Sequence, residues 1–126
     1  MNREEILAME AGNELDALVA TEVMGWERKD YGYTIVYWEE NDEDVHMVEL
    51  WKPSTDIADA WKVVEKMVDK YFMVDVTAVK GGQYECVITS EEPTMHNDYE
   101  LYELGETAPL AICRAALLAV MEDNNA

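Results

Sequence analysis

Apolar residues recur at helical spacing from the beginning of the chain. Leu7, Ala11, Leu15, Leu18, Val19 and Val23 predict one amphipathic helix from Asn2 to about Met24. Asn2 with Glu5 three places on reads as a capping box, Gly12 is a weak point, and Gly25 a natural stop with Trp26 folded back behind it. The pattern then turns β-branched and aromatic, so residues 33–38 and 45–51 predict two strands. The acidic segment from Glu39 to Asp44 joins them as a solvated hairpin tip. Pro53-Ser54-Thr55-Asp56 opens a second helix, with Ser54 or Thr55 offering a capping hydroxyl and Asp56 complementing the dipole in the first turn. Ile57, Ala60, Trp61, Val64, Met67, Val68 and Tyr71 follow the i, i+3, i+4, i+7 rule, and Lys62, Lys66 and Lys70 make a solvated outer stripe.

Phe72, Val74, Val76 and Ala78 alternate with more polar neighbours, Gly81-Gly82 turns the chain, and Tyr84, Cys86 and Ile88 alternate on the return. Residues 91–106 read as an acidic loop with Pro93, His96, Tyr99, Tyr102 and Gly105, and a short strand near Tyr99 to Leu104. Thr107 caps a last helix that accepts Pro109 in its first turn. The resulting order is helix, hairpin, helix, hairpin, helix. It predicts an α+β fold: an antiparallel sheet of two hairpins packed between helices, an α-β-α sandwich, in a single domain over residues 1–126. The last helix is apolar almost all round, so it belongs either inside a core or against another subunit, and a homo-oligomer is expected.

Charge changes this picture more than length does. The 28 acids against 9 bases give a formal net charge of −19 on 126 residues, which excludes ordinary nucleic-acid binding and docking on anionic membranes. The same acidity permits attraction to basic partners or mimicry of a polyanion. With 49% apolar residues and four tryptophans the chain is nonetheless expected to fold. Cys86 and Cys113 lack metal spacing and read as buried free thiols. The opening residues show no apolar signal core and no stretch spans a bilayer, so a cytoplasmic location is expected.

Three separated motifs, in order, resemble the phage ABA-sandwich domain family. They are Met1 to Leu7 with Val23-Met24-Gly25-Trp26, the central run from Ser54 to Lys66, and the terminal run from Thr107 to Val120. The resemblance departs between Glu27 and Lys52 and again between Glu91 and Glu106. It implies a layered α-β-α fold and an accessory protein of phages or prophages of Gram-positive bacteria, acting in the host cell. It carries no established reaction and no catalytic residues. Some small phage proteins of comparable size sequester nucleotide signals of bacterial defence, and that role is one expectation for this chain.

The candidate chemistry centres on Arg114, the single charge between Ala108 and Met121, flanked on its arc by Leu110, Leu118 and Met121. A guanidinium held there needs a partner: a carboxylate of the same chain, a second copy, or an anionic ligand. The candidate ligand-binding set is therefore Arg114, Trp51 as the least core-like tryptophan, and Ser54 and Thr55 at the helix start, where backbone amides favour phosphate but Asp56 opposes it. Asn41-Asp42-Glu43-Asp44 lacks the glycine and terminal glutamate of a calcium loop and reads as a turn. His96 near Asp98 and Glu100 is a weak metal candidate only, and no metal site or cofactor is assigned. No Ser/His/Asp or Cys/His set has supporting context, so a non-enzymatic protein is expected. Two functions stand: capture of a small anionic, nucleotide-derived ligand, or occupation of a basic host protein by an acidic surface.

Overall fold

A computed structural model describes residues 2–32, 36–90 and 100–125. Its elements run α1 (Arg3–Ala8), α2 (Asn13–Glu22), β1 (Glu27–Asp30), β2 (Val36–Glu40), β3 (Glu43–Met47), a 3₁₀ turn (Val48–Leu50), α3 (Ile57–Asp69), β4 (Phe72–Val79), β5 (Gln83–Ser90), β6 (Glu100–Gly105) and α4 (Ala108–Asn125). The fold is α+β, with antiparallel sheets and four helices, as a sandwich of helix and sheet layers requires.

The detailed order departs from the expected alternation of helix and hairpin in three places, each with a local cause. The expected first helix is two, because the chain breaks between Met9 and Gly12, where Gly12 takes φ 155°. That φ is poorly accessible to residues with a Cβ. Asn2 caps α1 as expected, its Oδ1 accepting the Glu5 N–H at 2.8 Å. Second, Glu27–Asp30 pairs with β2 although all four residues are charged and exposed, so it has no apolar alternation to betray it. Third, the second strand stops at Met47 and the backbone tightens into the 3₁₀ turn, leaving Leu50 60% exposed. The strands therefore form two three-stranded sheets, β1-β2-β3 and β4-β5-β6, in place of one sheet of two hairpins. Residues 33–35 of the expected strand, and the expected loop at 91–99 with His96, lie outside the described residues.

The β2–β3 turn follows from local chemistry. Asn41 and Asp42 adopt φ 52° and 65°, the left-handed pair that a two-residue turn between Glu40 and Glu43 needs. Val45 has no opposite partner, because Trp38 faces His46 and Glu39 faces Asp44, so β3 carries a bulge. In the second sheet the register from Phe72↔Ser90 to Val79↔Gln83 is regular.

At the centre of the molecule is α4. It meets all three strands of the second sheet on one side and α1, α2 and α3 elsewhere around its circumference. On β4 and β5, Phe72, Cys86 and Ile88 are buried, whereas Met73 and Val79 on β4 face solvent. From Pro109 to Val120 every α4 side chain is buried except Arg114, which is half-buried. Backbones come close at the β6–α4 junction: a Cβ on Gly105 would stand 2.7 Å from the Ala111 nitrogen, so glycine alone fits there without a shift. Thr107 Oγ1 accepts the Leu110 N–H at 3.3 Å, the cap the sequence predicts. The apolar helix thus finds its cover within one chain and gives no reason of its own for a second copy. Among the described residues no helix is long and apolar enough to cross a membrane.

Candidate functional site

Arg114 is neither in solvent nor ion-paired to a described carboxylate. Its Nη2 donates to the Met9 carbonyl at 3.0 Å, and its Nε is buried without a hydrogen-bond partner among the described residues. Met9 is the C-cap of α1, so the guanidinium satisfies a free helix-end carbonyl and places positive charge at the negative end of the dipole. Arg114 therefore ties α4 to α1 within its own subunit.

Trp51, Ser54 and Thr55 do not join it. Trp51, expected to be the least core-like tryptophan, is 2% exposed and donates its Nε1–H to the Asp16 carbonyl at 3.1 Å. Its place at a strand end misleads, because the 3₁₀ turn swings the ring inward under α2. Ser54 is fully buried; its Oγ accepts the Gly12 N–H at 2.9 Å and its own N–H donates to Asp16 Oδ1 at 2.8 Å. Its hydroxyl thus serves the entrance to α2 and not α3, whose N-cap is Asp56 with no side-chain bond. Thr55 is exposed, and its N–H returns to the Lys52 carbonyl at 3.2 Å.

Two buried carboxylates organise this corner, and neither was singled out by the sequence reading. Asp16 receives the Ser54 N–H, and burial pushes its carboxyl above the ordinary carboxylate range despite that hydrogen bonding. Asp59 takes the Lys52 N–H at 2.9 Å, with Lys62 Nζ at 3.6 Å and His46 Nε2 at 3.8 Å. His46 is stacked on Trp26 and edge-on to Trp51, with centroids 6.3 and 5.3 Å apart. Trp26 donates to Glu40 Oε2 at 3.0 Å, and Lys66 reaches Glu40 Oε1 at 3.9 Å. This network fastens the first sheet to α2 and α3. Asp16 was findable: at about 100° per residue it falls inside the arc of Leu15, Val19, Ala20 and Val23.

Between the first sheet and α2 lies a cleft of about 440 Å³. Trp38 and Trp51 form apolar wall, Asn13 and Asp16 come from α2, and Arg28 and Lys52 bring positive charge. Trp38 is 2% exposed, and its Nε1–H has no hydrogen-bond partner among the described residues. Elsewhere the thiols are inert. Burial pushes Cys86 to about 12, with Asp75 adding to it, and Cys113 well above its ordinary value. No group of three or more His, Cys, Asp or Glu side chains that could hold a metal occurs among the described residues.

The second notable surface is the outer edge of α3. Ile57, Trp61 and Val68 are 53%, 51% and 52% exposed, and Tyr71 just beyond the helix is 63% exposed. The sequence pattern put them in the core with Ala60, Val64 and Met67. The apolar arc is wider than the contact, so its leading edge, spanning about 40° from Ile57 to Trp61, stays outside.

Layers, strand pairing and a central apolar helix together define a small, acidic α+β protein. The chain belongs to the phage ABA sandwich domain family, whose model matches residues 17–117. That span takes in both segments where the resemblance weakened, Glu27 to Lys52 and Glu91 to Glu106, and leaves residues 1–16, with the opening Met1 to Leu7 motif, and residues 118–126 outside. Membership points to a phage accessory protein. No curated protein matches the chain in sequence.

Proposed function

We propose that this is a non-enzymatic phage accessory protein that docks on a basic protein of the host through the outer face of α3. What carries the reading is the exposed run Ile57, Trp61, Val68 and Tyr71, each more than half exposed, on a chain of net charge −19. Large aromatic and aliphatic anchors with acidic surroundings suit an interface whose charged rim steers a cationic partner and whose centre excludes water. Glu65 and Asp69 on α3 place acids beside the anchors. A like-charged second copy is the less favoured occupant, because two chains of −19 repel.

Tyr71 supports the choice of face. It holds φ 68°, a left-handed conformation costly for a bulky side chain, at the position after the α3 C-cap where glycine is usual. An exposed aromatic kept at that cost is more readily explained by a contact than by folding. For Arg114, the Met9 carbonyl is the partner its Nη2 has within the chain, which leaves the α3 face the better-supported site.

The test is photo-crosslinking in host-cell lysate from residues placed at Trp61, at Val68 and, as a control, at Asn41 on the hairpin tip. The reading expects positions 61 and 68 to capture the same protein, of net positive charge, with position 41 silent and the yield falling as salt rises. Crosslinks to another copy of the chain would favour self-association, and equal capture at all three positions would remove the docking face.

A further inference from the structure

We propose that the cleft between α2 and the first sheet binds a small organic anion with a flat apolar body and a hydrogen-bond acceptor at its inner end. This site is separate from the α3 face and does not depend on it.

The inner end is set by Trp38. An indole N–H is a donor with no acceptor capacity, and this one, on a side chain 2% exposed, has no hydrogen-bond partner among the described residues. A buried donor in that state carries its full desolvation cost, which an arriving acceptor would remove. The other indole of the cleft differs, because Trp51 Nε1 is committed to the Asp16 carbonyl and offers only its ring. Val36, Met47 and Val48 complete an apolar lining suited to a planar body.

Charge at the mouth comes from the β1–β2 register. Arg28 is paired directly opposite Trp38, so both side chains project from one face of the sheet at neighbouring positions. Among the described residues no ion pair holds Arg28, and its planar fork matches a carboxylate or phosphate. Lys52 adds a second cation. The opposing groups are Asp16 and Glu49. Asp16 already receives the Ser54 N–H, and burial disfavours its charged form; Glu49 is exposed. Two cations against two acids make this the exception in a chain with 28 acids and 9 bases. The volume, about 440 Å³, falls in the range of sites for small ligands.

The probe is 2-naphthoate, compared with its uncharged amide, titrated into the full chain while the four indole N–H signals are followed by NMR. The expected result is saturable binding of the acid, roughly tenfold weaker for the amide and for acid added to Arg28→Gln, the loss typical of one charge-assisted contact. The Trp38 indole signal, assigned with Trp38→Phe, should shift on binding, and Trp61→Ser should bind as the parent does. Equal affinity for acid and amide, an unmoved Trp38 signal, or no binding at millimolar probe would overturn the proposal. Loss of binding in Trp61→Ser alone would place the probe on α3 and overturn it equally. None of these failures touches the docking face, because crosslinking from positions 61 and 68 does not involve the cleft.

Discussion

The two longest helices use apolar residues in opposite ways. α4 is apolar round most of its circumference and exposes almost none of it, since sheet and helices of the same chain close over it. α3 has an amphipathic pattern of the ordinary surface kind, yet leaves Ile57, Trp61 and Val68 half in water. The helix that looks made for a partner is core, and the helix that looks ordinary carries the unpartnered surface. How apolar a helix is does not reveal what covers it; the number of elements packed round it does.

The sharpest way to break this contrast is to truncate one residue on each helix. Leu118→Ala, at 1% exposure on α4, should cost about 2–5 kcal/mol, because the cavity it leaves is enclosed on every side. Trp61→Ser, at 51% exposure, should stay within about 1 kcal/mol of the parent. Urea midpoints at unchanged slope decide it, and comparable losses would mean that α3 is as enclosed as α4.

A smaller effect separates the polar corner under α2 from both helices. The Asp16 carboxyl is raised above 3.8 by burial. Between 3.8 and its folded value the native chain holds a proton that the unfolded chain has released, so this group's contribution to stability falls as pH rises through that window. Asp16→Asn keeps an Oδ1 for the Ser54 N–H and removes the charge. It should match the parent below pH 3.8 and exceed it at pH 7, as read from thermal midpoints at the two values. A variant less stable than the parent at pH 7 would show that the carboxylate is net favourable there.

The smallest expected change is at Tyr71. Tyr71→Gly relieves the left-handed strain and should raise stability by about 0.5–1 kcal/mol, while weakening capture of the α3 partner. Stability gained with capture untouched would leave the strained tyrosine without a use.

Much of the fold was legible because its apolar periods are local. The β4–β5 hairpin, the Asn2 and Thr107 caps and the Asn41-Asp42 turn each follow from a few adjacent residues. β1 was not legible, since Glu27–Asp30 joins a sheet by backbone pairing alone. The site was harder. Arg114 was correctly seen as a charge needing a partner, but a backbone carbonyl 105 residues away leaves no trace in local spacing. Arg28 beside Trp38 depends on that same unseen strand. Trp51 and Trp61 exchanged roles because burial on an amphipathic helix is decided by where its neighbours stop, which no periodicity encodes.

Acrylamide quenching of tryptophan fluorescence in the purified, free chain tests the central claim most directly. Trp26, Trp38 and Trp51 are 7%, 2% and 2% exposed, against 51% for Trp61. One readily quenched component is expected, lost in Trp61→Phe and protected when a docked partner is present. A parent protein whose tryptophans all resist acrylamide would mean that α3 is already covered in the free chain, and the open docking face would be gone.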